Sequence, residues 1–320
     1  MIRVIKPEGL GNIQLEDVPV PPVNSRQVLV RTEVTLISRG SELFRRYIQE
    51  AAVSPSIMGY SLTGTVEKIG DDVTEYQVGQ RVMVAAPHAE YAVGDVNSPT
   101  GHLVALPDDV SFEHGTFLLL ATEATAWAAS SGVQSGDTIV ILGQGVVGTL
   151  MLQILRGYSP ERIITVDPLP LRRQISEDLG ADVVIDATNE NPIEVVRDLT
   201  DGRGADLVVD CVGGYAGVKS FEQAQDMVRR GGTIQLIALY QQAPLQLHAS
   251  KIMHKRLVAG ILIEEPLSQV ALRALESIRT GQIKPRRMIT HRFPYTYAKQ
   301  AFDLLWNSPG EALGVLLIWK

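Results

Sequence analysis

Residues 138–148 read Thr-Ile-Val-Ile-Leu-Gly-Gln-Gly-Val-Val-Gly, and this stretch decides the fold. An apolar run rich in β-branched residues ends in Gly143, Gly145 and Gly148, which have the spacing G-x-G-x-x-G. The pattern predicts a strand before the glycines and a helix after them. The first glycine would make a tight turn, the second would let backbone approach a pyrophosphate, and the third would let helix and strand pack closely. We therefore expect the helix N-terminus to bind a dinucleotide, with an ordinary glycine-rich turn as the alternative.

The next predicted strand ends in an acidic residue, Asp167. A carboxylate at this position can accept hydrogen bonds from an adenosine ribose and repels a 2′-phosphate, so NAD(H) is favoured over NADP(H). Arg172 and Arg173 follow the strand and offer the alternative, because guanidinium groups there can bind a 2′-phosphate. They can also be solvated residues of the next helix, with Arg172 at the ribose edge.

Length and composition exclude several classes of protein. The chain has 320 residues, enough for two domains, and its 45% hydrophobic and 20% charged residues are typical of a globular protein. A formal net charge of −7 argues against a nucleic-acid partner. We find neither an apolar run of the roughly 18 residues that a membrane span needs nor a signal-peptide pattern. One cysteine, Cys211, excludes an internal disulfide and a cysteine-cluster zinc site. We expect a cytoplasmic protein without a membrane partner.

The pattern along the chain changes after residue 115. Before it, short strands predicted at 27–35, 64–69 and 81–85 are separated by glycine and proline turns, which indicates a small all-β module. A helix predicted over 116–129 leads into alternating strands and helices, as in a parallel sheet. Six strands are predicted at 138–142, 162–167, 183–185, 207–212, 233–238 and 257–263. Helices are predicted near 147–157, 171–179, 191–199, 217–230 and 267–280. A strand over 314–319 is expected to return to the first module.

Four further stretches carry known motifs. Residues 61–70 contain G-x-V-x-x-x-G, and residues 76–82 are similar to F-x-x-G-D-x-V, with tyrosine for phenylalanine and glutamine for aspartate. Residues 88–93 contain Ala-Glu-Tyr, and residues 132–139 follow G-x-x-x-G-D-x before the apolar strand. Together with the glycine motif, these stretches resemble the medium-chain dehydrogenase/reductase superfamily over essentially the whole chain.

The resemblance implies an α/β protein of two domains. A GroES-like β-barrel catalytic domain would be formed by residues 1–124 and 282–320, and a doubly wound Rossmann domain with a six-stranded parallel sheet by residues 125–281. Substrate and nicotinamide would meet in the cleft between them. Val147 would pack against the nicotinamide ring and Thr125 would contact its other side. The alternatives are that Val147 belongs to the helix–sheet core and that Thr125 bonds to its own helical turn.

The zinc ligands of this superfamily are replaced. A catalytic zinc needs three protein ligands and an open fourth position. In the family the first ligand is a cysteine, the second a histidine and the third a cysteine or an acid. This sequence has Arg39, Tyr60 and approximately Ala121 at these positions, in that order. The segment Ile37-Ser-Arg-Gly-Ser-Glu42 is instead similar to the I-S-x-G-T-E of zinc-lacking branches. We expect no metal.

Other groups must then stabilise a developing alkoxide or enolate. By position, Tyr60 could donate its phenolic proton, Ser41 stands where the family has a hydroxyl relay, and Glu42 where it has a supporting acid. Arg39 could supply a fixed positive charge or hold an anionic substrate. His88 is a further acid–base candidate. The alternatives are that Tyr60 fills the zinc position as packing and that Arg39 and Glu42 form a structural ion pair.

These residues favour a zinc-independent oxidoreductase that moves hydride between NAD(H) and an alcohol or ketone. The first alternative is an NAD(P)H-dependent reductase of quinones or enones, as in zinc-free relatives. The second is a nucleotide-binding sensor or scaffold that has lost catalysis, because the site and not the fold decides function. We also expect a homodimer formed through strand 257–263, whose uncharged edge would otherwise be bare; a monomer with this edge covered by the following loop is the alternative.

Overall fold

A computed structural model describes residues 1–97, 103–239 and 243–320. The chain forms two compact units. The first unit comprises Met1–Thr122 together with Glu265–Lys320, and the second comprises Glu123–Glu264. The described residues contain no helix long and apolar enough to cross a membrane.

The first unit contains most of the strands of the chain. Its N-terminal strands are β1 (Ile2–Ile5), β2 (Gln14–Asp17), β3 (Gln27–Ile37), β4 (Leu62–Ile69), β5 (Arg81–Val84), β6 (Tyr91–Asp95) and β7 (Leu103–Ala105). They are followed by the helices α1 (Phe112–Gly115) and α2 (Leu118–Ser131), the second of which continues into the second unit. A π-helical segment, Arg39–Tyr47, follows β3, and a short 3₁₀ turn, Pro55–Ile57, precedes β4. The strands predicted over 27–35, 64–69 and 81–85 are confirmed as β3, β4 and β5.

The second unit is one sheet covered by helices. Its strands are β8 (Thr138–Leu142), β9 (Arg162–Asp167), β10 (Val183–Asp186), β11 (Ala205–Asp210), β12 (Val228–Leu236) and β13 (Arg256–Ala259). Its helices are α3 (Val146–Arg156), α4 (Pro170–Asp178), α5 (Pro192–Leu199), α6 (Gly217–Met227) and α7 (Ala249–Ile252). The strands are parallel and lie in the order β10-β9-β8-β11-β12-β13, which is the doubly wound order. The predicted six-stranded parallel sheet is therefore confirmed.

Burial explains which strand limits the sequence predicts well. Every residue of β8 is buried, and β9 is buried from its second residue onward, so their apolar runs coincide with the strands. In β12 the strand begins at Val228, because helix α6 ends at Met227 and not at residue 230 as predicted. Polar residues at the start of β12 conceal this beginning, since the hydrophobic pattern is visible only from residue 233.

The last strand of this sheet is shorter than predicted. Strand β13 ends at Ala259, whereas the apolar run predicted a strand to residue 263. Gly260 has a φ of +82°, which turns the chain out of the extended conformation. After the turn, the amide of Leu262 donates to the hydroxyl of Ser130 at 2.8 Å instead of joining the ladder. The apolar run therefore covers one short strand and a turn.

The C-terminal part of the chain returns to the first unit. Its elements are α8 (Leu267–Arg279), α9 (Pro285–Met288), β14 (Ile289–Pro294), a 3₁₀ turn (Tyr295–Tyr297), α10 (Ala298–Asn307) and β15 (Gly314–Ile318). Strand β15 pairs antiparallel with β3 and parallel with β14, as expected for residues 314–319. The resulting sheet has the order β14-β15-β3-β4-β5-β7, and β6 pairs with β3.

The division into units differs from the predicted domain limits. Helix α8 lies in the first unit, whereas the predicted nucleotide-binding domain extended to residue 281. Arg279, at the end of this helix, donates to the carboxylate of Asp109 at 2.9 Å, which ties α8 to the segment after β7. A regular alternation of strands and helices does not show in which unit the last helix packs.

Candidate active site

The glycine turn after β8 has the geometry that its spacing predicts. Gly143 has a φ of +83°, and its amide donates to the carbonyl of Val166 at 2.8 Å. A Cβ atom on Gly148 would lie 1.9 Å from the carbonyl oxygen of Gly143, so α3 can approach the turn only with glycine at this position. A Cβ atom on Gly145 would meet nothing within 4 Å. The second glycine therefore faces open space while the first and third are constrained.

This turn fits the phosphates of a dinucleotide. Gly145 is the residue before α3 and has no side chain to cap the first amides of that helix. Unsatisfied N–H groups and the helix dipole favour a negative charge at such a terminus. Val147 lies in the first turn of α3 and Thr125 in α2, and both are partly exposed, so each has surface that a ligand can contact.

Asp167 ends β9 beside the glycine turn. Its Oδ2 accepts from the amide of Gln144 at 2.7 Å, and its Oδ1 accepts from the amide of Leu169 at 2.8 Å. These bonds fix the carboxylate against the turn. Each carboxylate oxygen keeps a second lone pair with which it can accept from a ribose hydroxyl.

The two arginines that follow Asp167 are directed at protein oxygens. Arg172 is buried with its Nη1 3.9 Å from Oδ2 of Asp167, and burial lowers the pKa of Arg172 while Asp167 partly offsets that shift. Arg173 donates to the carbonyls of Asp167 and Pro168 at 3.1 and 2.7 Å and pairs with Asp186 at 2.9 Å. Both guanidinium groups thus compensate charges of the protein itself.

In the first unit, Ser38 and Glu42 shape the turn that follows β3. The Oε1 atom of Glu42 accepts from the backbone amide of Ser38 at 2.8 Å, in the manner of a capping box at the start of the segment Arg39–Tyr47. The hydroxyls of Ser38 and Ser41 lie 3.1 Å apart. The turn therefore presents a pair of hydrogen-bonded hydroxyl groups.

Two of the predicted site residues come together here. The hydroxyl of Ser41 donates to the phenol oxygen of Tyr60 at 3.3 Å. With Ser38 they form a row of three hydroxyl groups, and the side chains of Ser41 and Tyr60 are partly exposed. Such a row can conduct a proton toward or away from the phenol oxygen, because each hydroxyl both donates and accepts.

Glu42 and His88 form a fully buried pair. The Oε2 atom of Glu42 lies 3.0 Å from Nε2 of His88, and both side chains are 0% exposed. This corrects the alternative in which Glu42 would pair with Arg39, since the carboxylate is held instead by His88 and the Ser38 amide. The imidazole of His88 therefore has no exposed surface with which to contact a substrate directly.

Arg39 is held on the other side of the same turn. Its Nε donates to the carbonyl of Leu305 at 3.3 Å, and its guanidinium lies 5.1 Å from the centre of the Phe44 ring. Contacts of this kind hold a guanidinium in place and retain its positive charge. Arg39 therefore offers a guanidinium held in place, on the residue two positions before Ser41.

The donor set does not fit a catalytic zinc. A guanidinium, a phenol and a methyl group occupy the ligand positions at Arg39, Tyr60 and approximately Ala121. Within residues 1–97, 103–239 and 243–320 there is no group of three or more His, Cys, Asp or Glu side chains that could hold a metal ion. These side chains therefore do not provide the three ligands that a catalytic zinc ion needs.

Two carboxyl groups with raised pKa values carry no signal in the sequence, and of the two Asp210 is fully buried whereas Glu123 is partly exposed. Asp210 ends β11, where its Oδ1 accepts from the Ser220 hydroxyl at 2.8 Å and the Val212 amide at 3.1 Å. Burial raises the pKa of Asp210 to about 7, although both hydrogen bonds lower it. Burial likewise raises the pKa of Glu123, on α2, to about 7. No motif marks either residue, because the cause is the surrounding protein and not a local spacing.

Comparison with known proteins gives matches along the chain. The alcohol dehydrogenase GroES-like domain matches residues 24–116, and the zinc-binding dehydrogenase domain matches residues 146–275. Sorbitol dehydrogenase of Homo sapiens is 27% identical over 331 residues, with 92% of this chain and 90% of the relative covered. Alcohol dehydrogenase TADH from Thermus sp. ATN1 has a TM-score of 0.86 at 24% identity, with 100% of both chains covered. Quinone oxidoreductase of Pseudomonas syringae pv. Tomato DC3000 has a TM-score of 0.83 at 22% identity, also over 100% of both chains.

Proposed function

This chain belongs to the medium-chain dehydrogenase/reductase superfamily and is an NAD(P)-dependent enzyme, and we propose that it is a zinc-independent oxidoreductase. In this proposal it interconverts an alcohol and a ketone with NAD(H). The observation that carries the proposal is the hydrogen bond from Ser41 to Tyr60, at the position where the family has a metal ligand. The names of the relatives, sorbitol and alcohol dehydrogenase, support alcohols and polyols as the substrate class.

In this mechanism Tyr60 is the proton donor. When a nicotinamide cofactor is bound, it supplies or accepts the hydride. For reduction, the phenol of Tyr60 gives its proton to the carbonyl oxygen as the carbon gains hydride. Ser41 then gives its proton to the phenolate oxygen and takes one from Ser38, which is partly exposed and regains its proton from water. Oxidation of the alcohol runs through the same steps in reverse.

Arg39 supplies the positive charge of the site. A fixed cation near a developing alkoxide stabilises it most where water is excluded. The stacking on Phe44 and the bond to the Leu305 carbonyl restrict the movement of this charge. The same guanidinium can instead hold an anionic group of the substrate, in which case its loss would raise KM and leave kcat nearly unchanged.

We propose NAD(H) as the preferred cofactor. Asp167 repels a 2′-phosphate, and Arg172 and Arg173, which could have attracted one, are directed at oxygens of the protein. The pyrophosphate would lie on Gly145 at the start of α3, with Val147 and Thr125 against the nicotinamide.

The first experiment compares Tyr60→Phe with the matched control Tyr76→Phe, in which the lost hydroxyl donates to the Leu103 carbonyl. Loss of a positioned acid typically costs about 10²–10⁴-fold, so we expect kcat for alcohols or ketones to fall at least about a hundredfold in Tyr60→Phe and to stay within about twofold in the control. NADH affinity, measured by nicotinamide fluorescence, should be the same in both. Activity should survive removal of metal by a chelator.

Four outcomes would contradict the proposal. Unchanged kcat in Tyr60→Phe would exclude the phenol as proton donor, and loss of activity on chelation would exclude a zinc-independent reaction. Turnover of quinones or enones without turnover of any alcohol or ketone would favour the C=C reductase. NADH binding without turnover of any substrate would favour a sensor or scaffold.

We further propose a homodimer formed at β13. This strand lies at the edge of its sheet, where Leu257 is 42% exposed, and Leu262, beyond the turn at Gly260, is 67% exposed. A bare apolar edge invites pairing with a second copy. Light scattering should give twice the chain mass of 34.9 kDa, and a monomer at micromolar concentration would contradict the proposal.

A further inference from the structure

The buried pair of Glu42 and His88 joins two segments that the proposed reaction needs together. Ser41 lies in the turn after β3, and Tyr60 lies nineteen positions later, before β4. A single hydrogen bond between two partly exposed hydroxyls is weak in water. The pairing of β3 with β4, extended by a bond from the Leu36 amide to the Ser61 carbonyl at 3.1 Å, brings the two segments side by side, but it does not include the turn that carries Ser41. A further contact is needed to hold this turn against Tyr60 if Tyr60 is to remain a positioned proton donor.

We propose that Glu42 and His88 are positioning residues that hold Ser41 against Tyr60. The inference rests on the proposed function, because it concerns the geometry of the same proton donor. Neither residue reaches the substrate, since both side chains are fully buried. Their effect passes through the backbone segments to which each one is bound.

Glu42 fixes the Ser41 side of the junction. Its Oε1 accepts from the Ser38 amide at 2.8 Å, and the Ser38 hydroxyl lies 3.1 Å from that of Ser41. A displacement of the carboxylate would leave the Ser38 amide without this acceptor and would release the start of the turn. The Ser41 hydroxyl would then lose its neighbour and its direction.

His88 fixes the Tyr60 side. Its amide donates to the carbonyl of Met58 at 2.7 Å, and its own carbonyl accepts from the amide of Val4 at 2.9 Å. Gly59, with a φ of +91°, lies so close that a Cβ atom there would be 2.5 Å from the His88 nitrogen. The imidazole is therefore anchored to the residues that precede Tyr60, and its bond to Glu42 closes the link between the segments.

The hydrogen bonds also identify the form of the imidazole that suits this role. The Nδ1 atom of His88 has no hydrogen-bond partner among the described residues. A proton on Nδ1 would be buried without an acceptor, whereas a proton on Nε2 is accepted by Glu42. The pair thus consists of a carboxylate with a donor on each oxygen and an imidazole that donates through Nε2. Its role in this proposal is to hold the turn that carries Ser41 against the segment that carries Tyr60.

The test compares two substitutions of His88. His88→Gln keeps an N–H donor at about the reach of Nε2, whereas His88→Leu keeps the volume and removes the donor. We expect kcat to fall at least about tenfold in His88→Leu and to recover to within about threefold of wild type in His88→Gln. NADH affinity should be unchanged in both. His114→Leu, a partly buried histidine of the same unit, is the control and should leave kcat unchanged.

A double variant separates positioning from simple loss of stability. If His88 acts through Tyr60, the combination His88→Leu/Tyr60→Phe should be no slower than Tyr60→Phe alone. Multiplied losses would overturn the positioning role, as would a folded His88→Leu enzyme with wild-type kcat beside an impaired Tyr60→Phe enzyme. Wild-type kcat in Tyr60→Phe would overturn the proposed function itself. If His88→Leu does not fold, Glu42→Met replaces it with the same expectations, since methionine keeps about the length of the side chain and removes both acceptor oxygens.

Discussion

Two turns in this molecule occupy the same kind of place and work by different means. Gly143–Gly148 leads from β8 into α3, and Ser38–Glu42 leads from β3 into the segment Arg39–Tyr47. The first offers backbone amides and open space, because its glycines carry no side chains. The second offers hydroxyl groups that are held by a carboxylate and a distant histidine. Function that depends on backbone is encoded within a few residues, whereas function that depends on side chains requires the whole fold.

The largest expected effect concerns the glycine turn, where function depends on the backbone. Gly148→Ala would place a methyl group 1.9 Å from the carbonyl oxygen of Gly143, so α3 or the turn must move. Overpacking of this severity costs about 3 kcal/mol or more. We expect a large fall in melting temperature together with loss of NADH binding, measured by thermal denaturation and by nicotinamide fluorescence.

Gly145→Ala is the matched control for that prediction. A methyl group at this position would meet nothing within 4 Å, and the φ of −69° suits alanine. The melting temperature without cofactor should therefore remain within about 2 °C of wild type, since unstrained Gly-to-Ala changes shift stability by less than about 1 kcal/mol. NADH affinity should still fall by about tenfold or more, because the methyl group would intrude on the phosphates. Wild-type affinity in Gly145→Ala would show that the cofactor does not approach this residue.

The sequence predicted the sheet of the second unit well for a reason visible in β8 and β9. Both strands are buried along nearly their whole length, so the apolar run and the strand coincide. The prediction was poorer where one residue interrupts a run, as Gly260 does after β13. It was also poorer for the unit to which α8 belongs, because a helix carries an apolar face whichever neighbour it packs against.

The candidate site was predictable only in part. The resemblance pointed to Ser41 and Tyr60, and the structure brings their hydroxyls to 3.3 Å. The partner of Glu42 was not predictable, because His88 is 46 positions away and only the fold brings the two together. An ion pair between Glu42 and Arg39 was the structural alternative that the sequence offered, since the two residues are close in the same segment.

A smaller effect concerns the carboxylate beside the glycine turn. Asp167→Asn would remove the negative charge that repels a 2′-phosphate, while it keeps the shape of the side chain. The ratio of the NADPH and NADH dissociation constants cancels any general loss of structure. We expect this ratio to fall about thirtyfold, which is about 2 kcal/mol of lost discrimination.

Arg173→Ala serves as the control, because its guanidinium is engaged by Asp186 and two carbonyls. It should leave the cofactor ratio within about twofold of wild type. A fall in NADPH affinity in this variant would show that Arg173 leaves those oxygens to bind the 2′-phosphate. An unchanged ratio in Asp167→Asn would contradict a role for Asp167 in the choice of cofactor.

The smallest expected effect is a pH dependence of stability that comes from a buried carboxyl group of the second unit, which no motif marks. Burial raises the pKa of Asp210 from its ordinary value of 3.8 to about 7. Between these values the folded protein binds a proton that the unfolded chain has released, so stability must fall as the pH rises from about 4 to about 7. The slope is at most about 1.4 kcal/mol per pH unit, and we expect about 1 kcal/mol between pH 6 and 7.

Asp210→Asn should remove this contribution, because an amide carries no charge at either pH, and should leave that of Glu123, whose pKa is also raised to about 7. Denaturant unfolding of wild type, Asp210→Asn and the exposed control Asp178→Asn at pH 6 and pH 7 measures the difference directly. The control should keep the wild-type slope. A slope in Asp210→Asn as steep as that of wild type would place the titration in another group. A shallower slope would mean that even the unit with the clearest sequence pattern contains a carboxyl group whose ionisation is set by the fold.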